Sequence, residues 1–335
     1  MKLAAARPFG FSLLATFVVL LAVLFTLGWG AALTTLILIA IEITFSFDNA
    51  IINAKTLARL SPLWQKLFLS VGIIIAIFGM RIVFPIVIVM FTAHLPWHQV
   101  LQLALHNPHQ YAAELKHAHT SIAAFGGIFL LMLALHFFLD DSREIVWFKR
   151  FERRLQKFAA WWMPALLSIL VLLLVAFSAH NHREVLVAGA LGLIIYQAVQ
   201  LVTRISQLAG SHSGSTGMAA FITFLYLEIL DASFSFDGVI GAFAISSSVI
   251  LIAAGLGAGA VWVRSFTVFM VKRGTLDSYK YLEHGAHYTV ALLAILLLAS
   301  ILINIPDAVS GIAGVIIIGA AFRASLAEKN ATKVN

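Results

Sequence analysis

Cysteine is absent from the 335 residues, so neither disulfide bridges nor thiolate metal sites are available, and a carrier for a soft ion such as Cu(I) is disfavoured. Charge is scarce too. Asp, Glu, Lys and Arg make up 11% of the chain and hydrophobic residues 61%, with a mean hydropathy of +0.98. A soluble domain carries roughly 45–50% apolar residues, so water is not the main solvent of this chain. HExxH, GxSxG and a Walker-type GxxxxGK[ST] are all missing, which removes the signatures of the commoner hydrolases and of an ATP-driven pump. The expectation is a protein that is not an enzyme and holds no permanent cofactor.

What the chain has is long apolar runs. A hydrocarbon core about 30 Å thick takes about 20 mostly apolar residues per helix, and ten such runs are legible: 11–27, 31–54, 67–91, 119–139, 162–179, 185–204, 218–243, 248–271, 286–304 and 307–323. The first resembles a signal peptide after Lys2 and Arg7, but its length and the missing small-residue cleavage site favour a retained helix. The predicted class is an all-α polytopic membrane protein of about ten transmembrane helices.

The formal net charge is +7, and topology accounts for it without nucleic acid. With ten spans and a cytoplasmic N-terminus, all but four of the 22 Lys and Arg lie on the cytoplasmic side. The exceptions are Arg81, Lys116, Arg183 and Arg264. This positive-inside bias puts both termini in the cytoplasm of a protein of the cell's inner (plasma) membrane.

Phe-Ser-Phe-Asp occurs at 45–48 and again at 234–237, in the second and seventh spans. Arg81 and Arg264 fall in the third and eighth, and His117 and His284 precede the fourth and ninth. The halves therefore read as two five-helix copies, 1–180 and 181–335, and an odd number of spans turns the second copy upside down. Inverted repeats commonly place substrate and coupling-ion sites at the midplane, often on interrupted helices. A basic linker at 140–160, containing REIVWFKRFERRLQK at 143–157, joins the copies. It reads either as a helix on the cytoplasmic surface held by anionic membrane lipids or as an ordinary connection.

Glu42, Asp48, Glu228, Asp231 and Asp237 stand in otherwise apolar sequence. An Asp near the centre of a spanning helix costs about 2.5–3.5 kcal/mol, so five unpaired acids would oppose insertion by on the order of 10 kcal/mol or more. A water-filled cavity, protonation, the two arginines or a bound cation can offset that. Glu228 and Asp231, three apart, share a helix face, but Glu42 and Asp48 are six apart, as are Asp231 and Asp237, about 120° out of alignment on an unbroken helix. Convergence of all five requires each helix to unwind near Phe-Ser-Phe-Asp, where Asn49 and Gly238 follow. Thr44, Ser46, Ser233 and Ser235 add hydroxyl oxygens. Carboxylate, amide, hydroxyl and carbonyl oxygens suit a hard divalent ion such as Mn²⁺, Mg²⁺ or Ca²⁺. Five carboxylates against two arginines leave −3, which a divalent ion and a proton would balance, so proton antiport is the natural coupling. Arg81 and Arg264 serve either as counter-charges that hold the site together or as braces on interhelical carbonyls.

At these residues the chain resembles the TerC family of integral membrane proteins. Glu42 through Ala50 is similar to its first motif, and Glu228, Asp231 and Asp237 to its second, within a resemblance spanning roughly 31–140 and 218–323. The family is associated with manganese export and tellurite resistance, so the resemblance implies efflux of Mn²⁺ as transported substrate, with Glu42, Asp48, Asn49, Glu228, Asp231 and Asp237 as the metal residues. Where the family usually continues Asp-Ser-Val-Pro, this chain reads Asp237-Gly238-Val239-Ile240, closer to a less characterised branch that pairs Asp-Asn with Asp-Gly.

Weaker signals remain. Six histidines (His94, His98, His106, His109, His117 and His119) fall in or beside the stretch between the third and fourth spans and read as a polar loop with Pro96 and Pro108. His117 and His287 are the better coupling candidates, each at a helix start with an acid nearby, Glu114 and Glu283. Gly255-Leu256-Gly257-Ala258-Gly259 reads as a close-packing stripe. Two further functions stay open: a membrane scaffold or secretion partner with a structural acidic core, and an intramembrane metal-dependent hydrolase, for which no dedicated nucleophile or base is evident.

Overall fold

In hydrocarbon every backbone N–H and C=O has to find its partner within the protein, which restricts spanning segments to helices or closed barrels. The apolar runs here lack the alternation of a barrel strand, and the computed structural model, which describes residues 9–208, 217–246, 248–306 and 308–334, is built of helices joined by short turns and irregular connections. In chain order the helices are α1 (Gly10–Leu27), α2 (Trp29–Phe45), α3 (Phe47–Leu57), α4 (Pro62–Ile74), a π-helical segment (Ile75–Val83), α5 (Phe84–Thr92), α6 (Trp97–His106), α7 (Pro108–His117) and α8 (His119–Phe138). They continue as α9 (Lys149–Gln156), α10 (Met163–Ser178), α11 (His182–Leu208), α12 (Met218–Ile245), α13 (Val249–Arg273), α14 (Thr275–Ser278), α15 (Leu282–Ser300) and α16 (Ala308–Val334).

Seven helices among the described residues are long and apolar enough to cross a bilayer, and the bent pair α2 and α3 makes an eighth. The chain is thus an all-α polytopic membrane protein with seven or eight candidate spans, fewer than the ten expected. Of the two remaining expected spans, α10 is apolar but 16 residues long, and α12 is 28 residues long with side chains outside the described set.

Two compact units are present, and each takes pieces from both halves of the sequence. One holds α1 to α7 with α12 and α13; the other holds α8 to α11 with α14 to α16. In the first unit α13 packs against α1, α2, α3 and the π segment. Its small residues permit this approach: a Cβ at Gly255 would stand 2.5 Å from Leu38 Cβ, and one at Gly259 2.5 Å from Glu42 Cβ. Around this contact Leu38, Val239, Ala242, Ile252 and Leu256 form one core, and Leu57, Phe68, Phe224, Leu227 and Val268 belong to another. Helix α1 is tied to α13 by Ser12 Oγ, 2.6 Å from Ser265 Oγ, and by Trp262 Nε1, which donates to Thr16 Oγ1 at 2.8 Å.

The histidine-bearing stretch is not a loop. Pro96 and Asn107 are the N-caps of α6 and α7, Pro108 opens α7, and Asn107 Oδ1 accepts from the Gln110 backbone N–H at 3.4 Å. Proline at a first helical turn loses no helical hydrogen bond, so the two prolines read as loop signals are helix starts. Tyr111 and Leu115 of α7 are buried.

In the second unit Ala124, Ile128, Leu172, Val175, Ala176, Val185 and Leu298 form a core drawn from α8, α10, α11 and α15. The basic linker is anchored there through its one buried acid. Glu152 of α9, 0% exposed, accepts from Arg143 Nη1 at 2.8 Å, from the backbone N–H groups of Trp147 and Phe148 at 3.0 Å and from the Tyr288 hydroxyl at 3.1 Å. Phe148, Phe151 and Phe158 of the same stretch are exposed beside the exposed Lys149, Arg150 and Arg153. Glu152→Gln keeps the shape and loses the charged hydrogen bond to Arg143, so a loss of about 1.5 kcal/mol is expected, measurable as a lower melting temperature in detergent.

Candidate functional site

The first Phe-Ser-Phe-Asp motif is where the chain bends. Ser46, at φ −104° and ψ 14°, separates α2 from α3, whose axes meet at 53°. The Ser46 backbone N–H still donates to Glu42 O at 3.0 Å, and Ser46 O accepts from Ala50 N at 3.2 Å. Ser46 Oγ donates to Glu42 Oε1 at 3.1 Å, so the serine closes the end of α2 on the acid one turn back. Asp48 falls in the first turn of α3, with its own backbone N–H and that of Asn49 against its carboxylate. These are donors that a helix start leaves without carbonyl partners, and an acid there also meets the positive end of the helix dipole.

The second motif does not break. Helix α12 runs through 234–237 without interruption, contrary to the expectation of matching unwound segments. Glu228 and Asp231, three apart, reach one partner from the intact helix; spacing alone does not separate the motifs, since Asp231 and Asp237 are six apart as Glu42 and Asp48 are.

That partner is Arg264 of α13. Its Nη2 lies 3.0 Å from Glu228 Oε2 and 3.2 Å from Asp231 Oδ2, while Nη1 donates to Glu228 Oε1 at 3.1 Å and to Phe68 O at 3.2 Å. The guanidinium also stacks 3.9 Å over the Phe68 ring, a contact the sequence did not signal. Gly72 makes room for the pair, since a Cβ there would fall 2.5 Å from Arg264 Nη1 and 2.7 Å from Glu228 Oε1.

Arg81 performs the equivalent task for α2. Its Nη2 donates to Glu42 Oε1 and its Nη1 to the carbonyl of Ala76. It stands in the π-helical segment just before Pro85. Proline has no N–H and its ring crowds the carbonyl four residues back, here that of Arg81, and the wider π turn accommodates both. Arg264 therefore both balances carboxylates and braces an interhelical carbonyl, that of Phe68, whereas Arg81 pairs with Glu42 and holds a carbonyl of its own π-helical segment.

Asn49 Nδ2 donates to Asp231 Oδ1 at 2.6 Å, which joins α3 to the Arg264 cluster, and a Cβ at Gly238 would lie 3.4 Å from Glu42 Oε2, which sets the Glu42–Arg81 pair against α12. Glu42, Asn49, Arg81, Glu228, Asp231 and Arg264 are all buried, as is Asp48 on α3 beside Asn49. Among the described residues no three carboxylates or imidazoles are grouped so as to hold a metal ion. The side chains of Ser235 and Asp237 lie outside the described set.

Other expected residues fall elsewhere. Thr44 is exposed and donates to Ala40 O at 2.7 Å, and Ser233 is buried but donates to Ile229 O at 3.0 Å. Both hydroxyls are spent on their own helices, a common option for Ser and Thr inside a helix. His117 is exposed at the end of α7. His287 belongs to the second unit, where its Nδ1 is 2.9 Å from Glu283 O and its ring stacks 3.7 Å on Phe137.

Asn53, one turn beyond Asn49, was missed by sequence reading. Its side chain is 1% exposed, and its Oδ1, like Asn49 Oδ1, is buried without a hydrogen-bond partner. An unpaired buried acceptor costs roughly 1–3 kcal/mol. An Asn within an apolar run, spaced i, i+4 from a motif Asn, was the available signal.

Bent spanning helices, a buried acidic network and two intramembrane arginines define a polytopic membrane protein with a polar core at membrane depth. The family described as a protein of unknown function (DUF475) matches residues 47–332, and the chain belongs to that family. No curated protein and no solved structure matches it.

Proposed function

We propose that this protein is a secondary transporter that exports a hard divalent cation, foremost Mn²⁺, from the cytoplasm in exchange for protons. One observation carries the reading. Among the described side chains the buried carboxyl groups of Glu42, Asp48, Glu228 and Asp231 outnumber the buried arginines Arg81 and Arg264, which pair with Glu42, Glu228 and Asp231. A surplus of acids at membrane depth is expensive unless protons or a bound cation neutralise them. Exchange of one for the other is what an antiporter requires. In the cation-free state the arginines hold the carboxylates together; with the cation present, the carboxylate oxygens of α12 and α2 turn to it and the arginines keep their carbonyl partners Phe68 O and Ala76 O.

Further support comes from organisation. The spans paired by sequence, α2 and α3 with α12, and the Arg81 segment with α13, share one compact unit, as two inverted copies in a ten-span protein would if they built a common site. The resemblance to the TerC family favours manganese over other hard cations.

The test is reconstitution in liposomes with an internal metal-sensitive dye and a pH dye. Native protein is expected to move Mn²⁺ against protons, and Asp48→Asn and Asp237→Asn are each expected to abolish that flux. Folded native protein that moves none of Mn²⁺, Mg²⁺, Ca²⁺ or Zn²⁺ would falsify the transport reading. A second reading draws on the ion pairs themselves: Glu42, Glu228 and Asp231 all have arginine partners, as in a structural core of a membrane scaffold or assembly partner. It expects Asp48→Asn to leave cellular metal unchanged while weakening association with another membrane protein.

A further inference from the structure

Asn49 and Asn53 lie one turn apart on α3, a rise of about 6 Å, and four positions bring them to nearly the same face. Both side chains are 1% exposed. The Asn49 amide is oriented by its donation to Asp231 at 2.6 Å, because the opposite orientation would set its oxygen against a carboxylate oxygen. Its Oδ1 therefore has no choice but to face away from Asp231, and it finds no hydrogen-bond donor; Asn53 Oδ1 finds none either.

Two partnerless amide oxygens in one stripe, beside the buried acids Asp48 and Asp231, call for the same kind of guest. A neutral donor such as water would satisfy the oxygens and leave the charge untouched. A hard cation satisfies both, since uncharged carboxamide oxygen is an ordinary ligand for Ca²⁺ and Mn²⁺ and a poor one for soft metals. We infer that Asn53, together with Asn49, supplies neutral oxygen ligands to a hard divalent cation at the α3 face, and that Asn53 is a specificity-determining residue of the site. This deepens the transport reading and rests on it for the choice of cation class, but it concerns equilibrium binding, which is measured separately from flux.

Mn²⁺ binding to the purified full chain in detergent is followed by loss of the free-ion electron paramagnetic resonance signal and by the metal-induced rise in melting temperature. The native chain is expected to bind Mn²⁺, with Mg²⁺ competing. Asn53→Leu removes a partnerless oxygen at similar volume, so its melting temperature without metal is expected to equal or exceed that of the native chain, while its Mn²⁺ affinity falls at least tenfold. Asn53→Ala, which adds no bulk, carries the same expectation for affinity, and Asn53→Asp, which restores an oxygen ligand, is expected to retain binding.

Native affinity in Asn53→Leu and Asn53→Ala would overturn the assignment, as would a native chain that binds no Mn²⁺. So would a fall of the metal-free melting temperature in both variants with binding intact, the mark of a structural amide bridged by water. The outcomes separate from those of the flux assay. Asn53-dependent binding without flux keeps this site and removes the transporter; flux with binding indifferent to Asn53 does the reverse.

Discussion

Replacing Arg264 with methionine is expected to destabilise the protein by about 3–5 kcal/mol, the usual consequence of stripping a buried ion pair of one partner. The guanidinium meets Glu228 and Asp231 together and holds Phe68 O from the same group. Methionine fills much of its volume and stacks on Phe68 almost as well, so the change isolates charge from packing. Two carboxylates would then be left at membrane depth with Asn49 as the remaining donor to Asp231. Adding Glu228→Gln and Asp231→Asn removes the stranded charges and is expected to return most of the loss, because replacing a whole buried ionic group is often close to neutral. Thermal unfolding in one detergent, read for the single and triple variants, checks both statements. Equal melting temperatures for native and Arg264→Met would mean that water already solvates these carboxylates.

Gly259→Val is expected to cost stability at the top of the roughly 1–3 kcal/mol range for overpacking, and to remove flux even from the fraction that folds. The added Cβ alone would approach Glu42 Cβ to 2.5 Å, Glu42 Cγ to 2.6 Å and Ile39 O to 3.2 Å. Ile39 O is backbone and cannot swing aside, so α13 must move away from α2. Since Arg264 rides on α13 and Glu42 on α2, that displacement alters both arginine clusters at once. Gly319→Val is the control, because nothing lies within 4 Å of a Cβ there. Comparison of yield, melting temperature and Mn²⁺ flux for the two valine variants decides the point. A native-like Gly259→Val would show that the helices are not held at this spacing.

Several features were legible from residue order because they depend on local physics. Composition and the length of apolar runs define a helical membrane protein, since no other uncharged backbone arrangement with this periodicity satisfies itself in lipid. Most predicted spans match observed helices to within a few residues, as between 119–139 and His119–Phe138. Unwinding was expected near both Phe-Ser-Phe-Asp motifs, and at the first of them a bend lies between Glu42 and Asp48 at Ser46. The small-residue stripe at 255–259 packs against α2 as such stripes do.

Tertiary structure decided the rest. Residue order does not say which arginine meets which acid, and Arg264 answers to Glu228 and Asp231, 36 and 33 positions away, because α13 packs against α12. It does not reveal that α12 stays whole through the second Phe-Ser-Phe-Asp, with a single guanidinium reaching Glu228 and Asp231 from the intact helix. Thr44 and Ser46 look alike in sequence, but the turn of α2 leaves one exposed and buries the other against Glu42. Asn53 could be marked in the sequence by its spacing from Asn49, but not its partnerless oxygen: a missing hydrogen bond is a property of what surrounds a side chain, and the surroundings of α3 come from segments scattered along the chain.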